Sequence, residues 1–471
     1  MTSSHSLYLG TFAITVVVGV LISGGYPGIV WSPNGAGVSP NVAASLTVGP
    51  SVGRHLTSPF YSVVFEDSQS APKSQAAFGH FFNSTPITVI RIGGASDSYD
   101  YTTQTNYVPP ASGTHYVRQV GALVNFTWFK AWCYSKTPHC EWLGYLPGEE
   151  NNTTAAVHTA KYFHNVLDFA PTYWQFGNEP GAWTHFGKNL TTWSTTDLSP
   201  TTGPGYATMV HDYIAAISKL FPNDRYIGIE DACACNVPLV SDLAQVDGSE
   251  LAGVAYHNYP WTNGSDVNLA PFMASLESTA SVPNSSAKMR TLVGLGCSTC
   301  ASLPIEIGEY QAGGPAPTHS PFALTYAGAP FLAASIIQAI EANVSMFTVY
   351  DSGWLINDTS GQLQPQGLLY ERILDNMTAG RDYPVAVNAK GIGGVFAMLV
   401  RNGTEQSLLL VNTNSTRGLQ LTISTTVFPV GATGSLWYWG PHAADPRDTL
   451  SFTLPTTYSV PPQGILLLDN Y

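Results

Sequence analysis

Along most of the chain, short apolar runs alternate with longer stretches whose apolar residues recur at helical spacing. The runs fall at 61–66, 87–92, 124–130, 173–178, 225–230, 252–257, 304–309 and 345–350, and each is rich in Val, Ile, Phe, Tyr or Trp. Unbroken apolar runs of this length suit strands buried on both faces, as in a parallel sheet. Between them, 154–169 places Val157, Tyr162, Phe163, Val166 and Leu167 near one helical face. The stretch 206–221 does the same with Met209, Val210, Tyr213, Ile214, Ile217 and Leu220, and 323–342 is long, apolar and Ala-rich. Eight such alternations predict an α/β fold, a (β/α)8 TIM barrel, although a doubly wound sheet shares the pattern.

After about residue 380 the helical spacing vanishes. Strand-like runs follow at 395–400, 407–411, 419–427, 435–439, 450–454 and 464–468, which predict an accessory C-terminal β-sandwich. The segment 44–49 is also strand-like and stands before the first barrel strand, where it could pair with that C-terminal sheet. Residues 26–44, rich in Gly, Pro, Asn and Ser, read as a linker. The expected organisation is a leader at 1–25, a linker and sandwich-joining strand at 26–57, a catalytic barrel at 58–378 and the β-sandwich at 379–471.

Composition narrows the class. Hydrophobic residues make up 44% of the 471 and aromatic residues 12%, enough for a large core and unlike a disordered chain. Charged residues make up only 10%, where about 25% is ordinary. The net charge of -13, with no Lys/Arg cluster, argues against a nucleic-acid partner. A chain so poor in carboxylates loses little when acid protonates them, which suggests work at low pH.

The apolar run 7–22, ending at Ser23-Gly24-Gly25, has the length of a signal-peptide core or a short membrane anchor. Asn-X-Ser/Thr triplets recur from Asn83 to Asn414, and with that run they predict a glycosylated extracellular or cell-surface protein. The cysteines stand as close pairs. In an oxidising compartment Cys133 with Cys140, and Cys297 with Cys300, read as local disulfides; Cys233 and Cys235, with a single residue between them, make a less natural pair. Zinc held by thiolates is the rival reading, but the unequal spacings favour disulfides, so no metal and no cofactor is expected.

The residues that carry chemistry lie at strand ends. Tyr173-Trp174-Gln175-Phe176-Gly177-Asn178-Glu179-Pro180 is an apolar strand that stops in a carboxylate, where barrel enzymes keep their chemistry. Asn178 can reach a sugar hydroxyl next to the reacting carbon. Leu303-Pro304-Ile305-Glu306-Ile307-Gly308-Glu309-Tyr310 is a second such strand. Of its two acids, Glu309 is terminal and follows a glycine, whereas Glu306 is mid-strand and would need a buried partner. Two carboxylates on facing strands are what glycoside hydrolysis needs, one to protonate the leaving oxygen and one to attack the anomeric carbon.

These strand ends resemble the fourth and seventh barrel strands of clan A retaining glycoside hydrolases. More narrowly, the chain resembles heparanase and the microbial β-glucuronidases of glycoside hydrolase family 79. Arg91-Ile92-Gly93-Gly94-Ala95-Ser96-Asp97 resembles that family's second-strand motif, Tyr256-His257-Asn258-Tyr259 its sixth, and Ser62-Val63-Val64-Phe65-Glu66 its first; Tyr350 falls at its active-site tyrosine. The resemblance implies Glu179 as acid/base, Glu309 as nucleophile and Tyr259 as hydrogen-bond donor to the nucleophile. It also implies Asn178, His257, Glu66, Ser96, Asp97 and Tyr350 around the sugar, and Gly313-Gly314 presenting amides to a uronic-acid carboxylate. That glycine pair follows Glu309 more closely than in the family, and Ala95 replaces a residue that is often polar there. The expected substrate is therefore an oligo- or polysaccharide; the resemblance puts a β-glucuronide first, with a neutral β-glycan such as xylan or glucan as the alternative. A non-catalytic carbohydrate-binding glycoprotein is the alternative of a different class.

Overall fold

In the computed structural model the described residues are 39–50, 55–56, 60–65, 72–92, 99–100, 105–106, 126–148, 151–182, 204–260, 268–312, 322, 325–350, 354–357, 360–389, 391–423, 427–429, 433–440, 447–453 and 456–470. Eight parallel strands close into a barrel: Tyr61–Phe65, Val89–Ile92, Glu141–Leu146, Tyr173–Phe176, Tyr226–Asp231, Leu251–Asn258, Ile305–Tyr310 and Val344–Tyr350, with the eighth paired to the first. They are called strands one to eight below. The fold is the (β/α)8 barrel, not the doubly wound sheet.

Strand three is not where the apolar pattern put it. The run at 124–130 enters the helix Phe126–Ser135, and the strand is Glu141–Leu146. Phe126, Phe129, Trp132 and Cys133 recur at spacings of three and four, a helical face, and all are buried. That face packs on Trp142 of strand three, with ring centroids 5.5 Å from Phe126 and 5.8 Å from Phe129. The Cys133–Cys140 disulfide ties the helix to the start of the strand. Cys233–Cys235 and Cys297–Cys300 are also paired, and no described cysteine is free to supply a zinc thiolate.

Two of the predicted helices are Thr153–Lys161, continued by a wider turn over Tyr162–Val166, and Pro204–Ser218. Asn152 caps the first, its Oδ1 accepting from the amides of Thr154 at 3.0 Å and Ala155 at 3.2 Å. The Ala-rich stretch forms Gly328–Glu341, buried along almost its whole length because it lies between the barrel and the second sheet.

That second sheet orders its strands as Arg447–Thr453, Thr433–Trp439, Ile465–Asn470, Glu405–Asn412, Val395–Asn402, Gly380–Ala389, Ser39–Val48, Arg417–Ile423 and Thr456–Val460. Ser39–Val48 runs antiparallel to Gly380–Ala389 and parallel to Arg417–Ile423, so a segment from before the barrel completes the C-terminal sheet. Alternate residues serve two cores. Leu399, Leu408, Leu410, Leu466 and Leu468 face the sheet's own interior with Leu46, Leu419 and Leu421. Their neighbours Met398, Val400, Leu409, Val411, Ile465 and Leu467 join the barrel's hydrophobic cluster. Burial on both faces explains why these strands lack polar alternation. Tyr326 hydroxyl closes the junction, donating to the carbonyls of Trp439 at 3.0 Å and Gln463 at 2.7 Å. The apolar run 7–22 lies outside the described residues, among which no helix is long and apolar enough to cross a membrane.

Candidate active site

Inside the barrel, side chains two residues apart on a strand point the same way. Val89, Leu143, Ala255 and Met346 form an apolar layer with Ile227 and Tyr173. One step further toward the strands' C-terminal ends, the residues are Arg91, Tyr145, Gln175 and His257, so a polar layer lies directly on the apolar one.

Two acids enter that layer through breaks in strand register. On strand seven, Ile307 pairs with Phe347 but Tyr310 with Val349, three residues against two. The extra residue turns Glu309 inward beside His257, with which it is paired. On strand five, Ile229 pairs with Ala255 but Asp231 with Tyr256, and the extra residue is Glu230, at φ 51°. Glu179, just beyond strand four, has the same φ of 51°, and its amide donates to the carbonyl of Glu230 at 2.9 Å. Left-handed backbone at a non-glycine residue is costly and is held here by surrounding contacts.

The polar layer is one connected array. Arg91, fully buried, reaches Glu309 Oε1 at 2.6 Å, Glu230 Oε2 at 3.1 Å, Asn178 Oδ1 at 2.8 Å and Gln175 Oε1 at 3.3 Å. His257 Nδ1 lies 2.8 Å from Glu179 Oε1 and 3.2 Å from Glu309 Oε2, while its Nε2 lies 2.9 Å from Glu230 Oε2. Tyr259 hydroxyl donates to Glu309 Oε2, and Gln175 Nε2 to Glu230 Oε1. Asn178 Oδ1 also accepts from Tyr145 hydroxyl at 3.3 Å, so its amide is oriented by two donors. Tyr350 stands edge-on to Tyr259, ring centroids 6.4 Å apart. One oxygen each of Glu179 and Glu309, with a nitrogen of His257, lie within 4.8 Å of one another.

Electrostatics separate the acids. Burial alone would raise Glu309, but the charges of His257 and Arg91, with hydrogen bonds from Tyr259 and Arg91, outweigh it and hold the carboxylate below its ordinary range. Burial disfavours the His257 cation, yet the charge of Glu309 and the hydrogen bonds to Glu179 and Glu230 push it up to about 10. Burial, and then the Glu309 charge, keep Tyr259 a phenol and therefore a donor. Glu306, three residues below Glu309, is enclosed, and burial followed by the Glu230 charge raises it to about 8 against the opposing charge of Arg225. It is mainly neutral where Glu309 is ionised.

The structure thus brings together Asn178, Glu179, His257, Tyr259, Glu309 and Tyr350. It places His257 with both ring nitrogens on carboxylates. Glu66, Ser96, Asp97, Gly313 and Gly314 lie outside the described residues. Sequence reasoning missed Glu230, Gln175 and Tyr145. Glu230 closes a predicted strand as Glu179 and Glu309 nearly do, and that position was the available signal.

No protein-family model matches the chain, and no curated protein matches its sequence. Solved structures do match. A family 51 α-L-arabinofuranosidase from Bifidobacterium longum aligns over 92% of this chain and all of its own at 14% identity, TM-score 0.65. A family 44 xyloglucanase from Paenibacillus polymyxa covers 91% and 100% at 10% identity, TM-score 0.67. A GH39 enzyme from Xanthomonas axonopodis pv. citri covers 92% and 97% at 14% identity, TM-score 0.61. The likeness is one of fold, extends over barrel and accessory sheet alike, and these three are glycoside hydrolases of families other than 79.

Proposed function

We propose that this chain is a retaining glycoside hydrolase in which Glu309 attacks the anomeric carbon and Glu179 protonates the leaving oxygen. The observation that carries the reading is the approach of the Glu179 and Glu309 carboxylates to within 4.8 Å, at the ends of strands four and seven. Retaining enzymes hold the two at about 5–5.5 Å, whereas inverting enzymes leave room for a water between them. Arg91 and Tyr259 keep Glu309 ionised and aimed, as a nucleophile must be. Glu179 is the more exposed of the two, with 15% of its side chain accessible, as suits a group that passes a proton to a leaving group and then takes one from water. The apolar run 7–22 and the sequons support export as part of the same reading.

For the sugar we propose a neutral glycan over a glucuronide. Arg91 is already committed to Glu309 and Glu230, and no Lys or Arg occurs between Glu309 and Tyr350. A uronate carboxylate would there depend on backbone amides alone. The similar folds include an arabinofuranosidase and a xyloglucanase. The test is kcat/KM for nitrophenyl β-xyloside, β-glucoside, α-L-arabinofuranoside and β-glucuronide at the optimal pH. A neutral sugar ahead by about tenfold, about 1.4 kcal/mol, supports the reading. A glucuronide ahead by that margin overturns it in favour of the family 79 resemblance. No turnover of any glycoside, with no labelling by 2-fluoro sugars, rejects the hydrolase itself.

A further inference from the structure

Glu230 takes no part in the reaction proposed above, yet it is the most enclosed acid of the site, with a fully buried side chain. Its contacts go to the residues that govern the other two acids: Arg91 at 3.1 Å, His257 Nε2 at 2.9 Å, and the amide of Glu179 through its own carbonyl. The groups that face the imidazole are Glu179 from the end of strand four, Glu230 and Asp231 from strand five, Glu309 from strand seven, Arg91 from strand two and Tyr259 beyond its own strand. Both ring nitrogens therefore meet carboxylate oxygens. A neutral imidazole has one N–H and one lone pair, and either tautomer would set that lone pair against an anion. A lone pair on Nε2 could accept from Arg91 Nη2 at 3.2 Å but would still face Glu230 Oε2 at 2.9 Å, and one on Nδ1 would face Glu309 Oε2 at 3.2 Å, so the ring protonated at both nitrogens is the form that donates to every carboxylate in reach.

We propose that Glu230 is a positioning residue that keeps His257 an imidazolium between Glu179 and Glu309, leaving Glu179 as the carboxylate that carries the exchangeable proton. The inference rests on the retaining-hydrolase reading for its last step. The charges count as follows: Arg91 and His257 are two cations, and Glu179, Glu230 and Glu309 three carboxylates. Two carboxylates balance the cations, and the third, on the most accessible residue, is free to hold a proton. Without the charge of Glu230, Nε2 would face the Arg91 guanidinium 3.2 Å away with no anion between them, which disfavours protonation of the ring. The ring then loses its proton at lower pH.

The experiment measures kcat/KM against pH for wild type, Glu230→Gln and Glu230→Asp, together with NMR titration of His257 in the same full-length proteins labelled with 15N-histidine. In Glu230→Gln the alkaline limb of the profile should move toward acid by about one pH unit or more, with a matching move of the His257 titration. Glu230→Asp, which keeps the charge, should leave both within a few tenths of a unit. A Glu230→Gln enzyme whose profile and imidazole titration coincide with wild type overturns the proposal, because Glu230 would then only fill space. If Glu230→Gln does not fold, the wild-type titration decides: an imidazole that deprotonates near its ordinary value of about 6.5 overturns it. The NMR readout needs no turnover, so a wild type that hydrolyses nothing would reject the hydrolase reading while the coupling of His257 to Glu230 is still measured.

Discussion

Gly308 lies with its bare Cα against the carboxylate of Glu230, and a Cβ built at Gly308 would overlap that carboxylate. The glycine before Glu309 is therefore a packing requirement, imposed from strand five. Glu230 cannot retreat, because Arg91, His257 and Gln175 hold it from three other strands. Gly308→Ala should destabilise the fold by about 1–3 kcal/mol, the usual cost of overfilling a packed site. It should also lower activity more than an alanine substitution at exposed Gly393, where a Cβ meets nothing within 4 Å. Thermal melts and initial rates of the two variants make the comparison.

Glu179→Gln should remove the proton donor while leaving the nucleophile in place. Rates on poor leaving groups should fall by about 10²–10⁴, whereas good leaving groups keep their first step and lose mainly the second. A burst of nitrophenol followed by slow turnover is the expected trace. An equal loss for all leaving groups would contradict the acid/base role.

Glu309→Gln should remove the covalent step for every leaving group, so that turnover falls to background. In the wild type, a 2-fluoro sugar should label Glu309, which is ionised beside Arg91 and Tyr259, and leave Glu306 untouched. Peptide mass mapping reads the site directly, and labelled Glu306 would reverse the assignment.

The buried acids set a pH dependence of stability. Glu306 binds its proton more tightly folded, at about 8, than at its ordinary value of 4.5. Between those values the folded state holds more proton than the unfolded one, so stability falls as pH rises through that window. Asp231, raised mainly by burial to about 6, and His257, at about 10, act in the same direction over 3.8 to 6 and 6.5 to 10. Glu309 opposes them only at the acid end, its contribution being lost as pH falls below 4.5. The melting temperature should therefore be highest on the acid side of neutrality. Glu306→Gln should flatten the decline toward pH 8, measured by scanning calorimetry from about pH 4 to about 9.

The strands and their two terminal glutamates were legible because each depends on local pattern. A strand buried on both faces must be an unbroken apolar run, and a carboxylate can end such a run only where the barrel opens to solvent. The same rule failed at 124–130. An aromatic-rich run satisfies strand and helix alike until its partner is known, and the partner is Trp142 on the true third strand. The strands Gly380–Ala389 and Thr456–Val460 were missed for the converse reason: they are less apolar, and the first carries a proline, so pairing rather than composition makes them strands.

What the sequence determined by itself was the class of fold and the position of two acids at strand ends, since both follow from which residues may be buried and which must reach water. What only the tertiary structure decided was the state of those acids. Nothing in Ile305–Tyr310 reveals that its register slips at Gly308 and turns Glu309 rather than its neighbour inward. Nor does local sequence show that Glu230, Arg91 and His257, from strands five, two and six, meet around it. Charge interactions act through space at a few ångströms, and the residues that impose them here are brought together only by closure of the barrel.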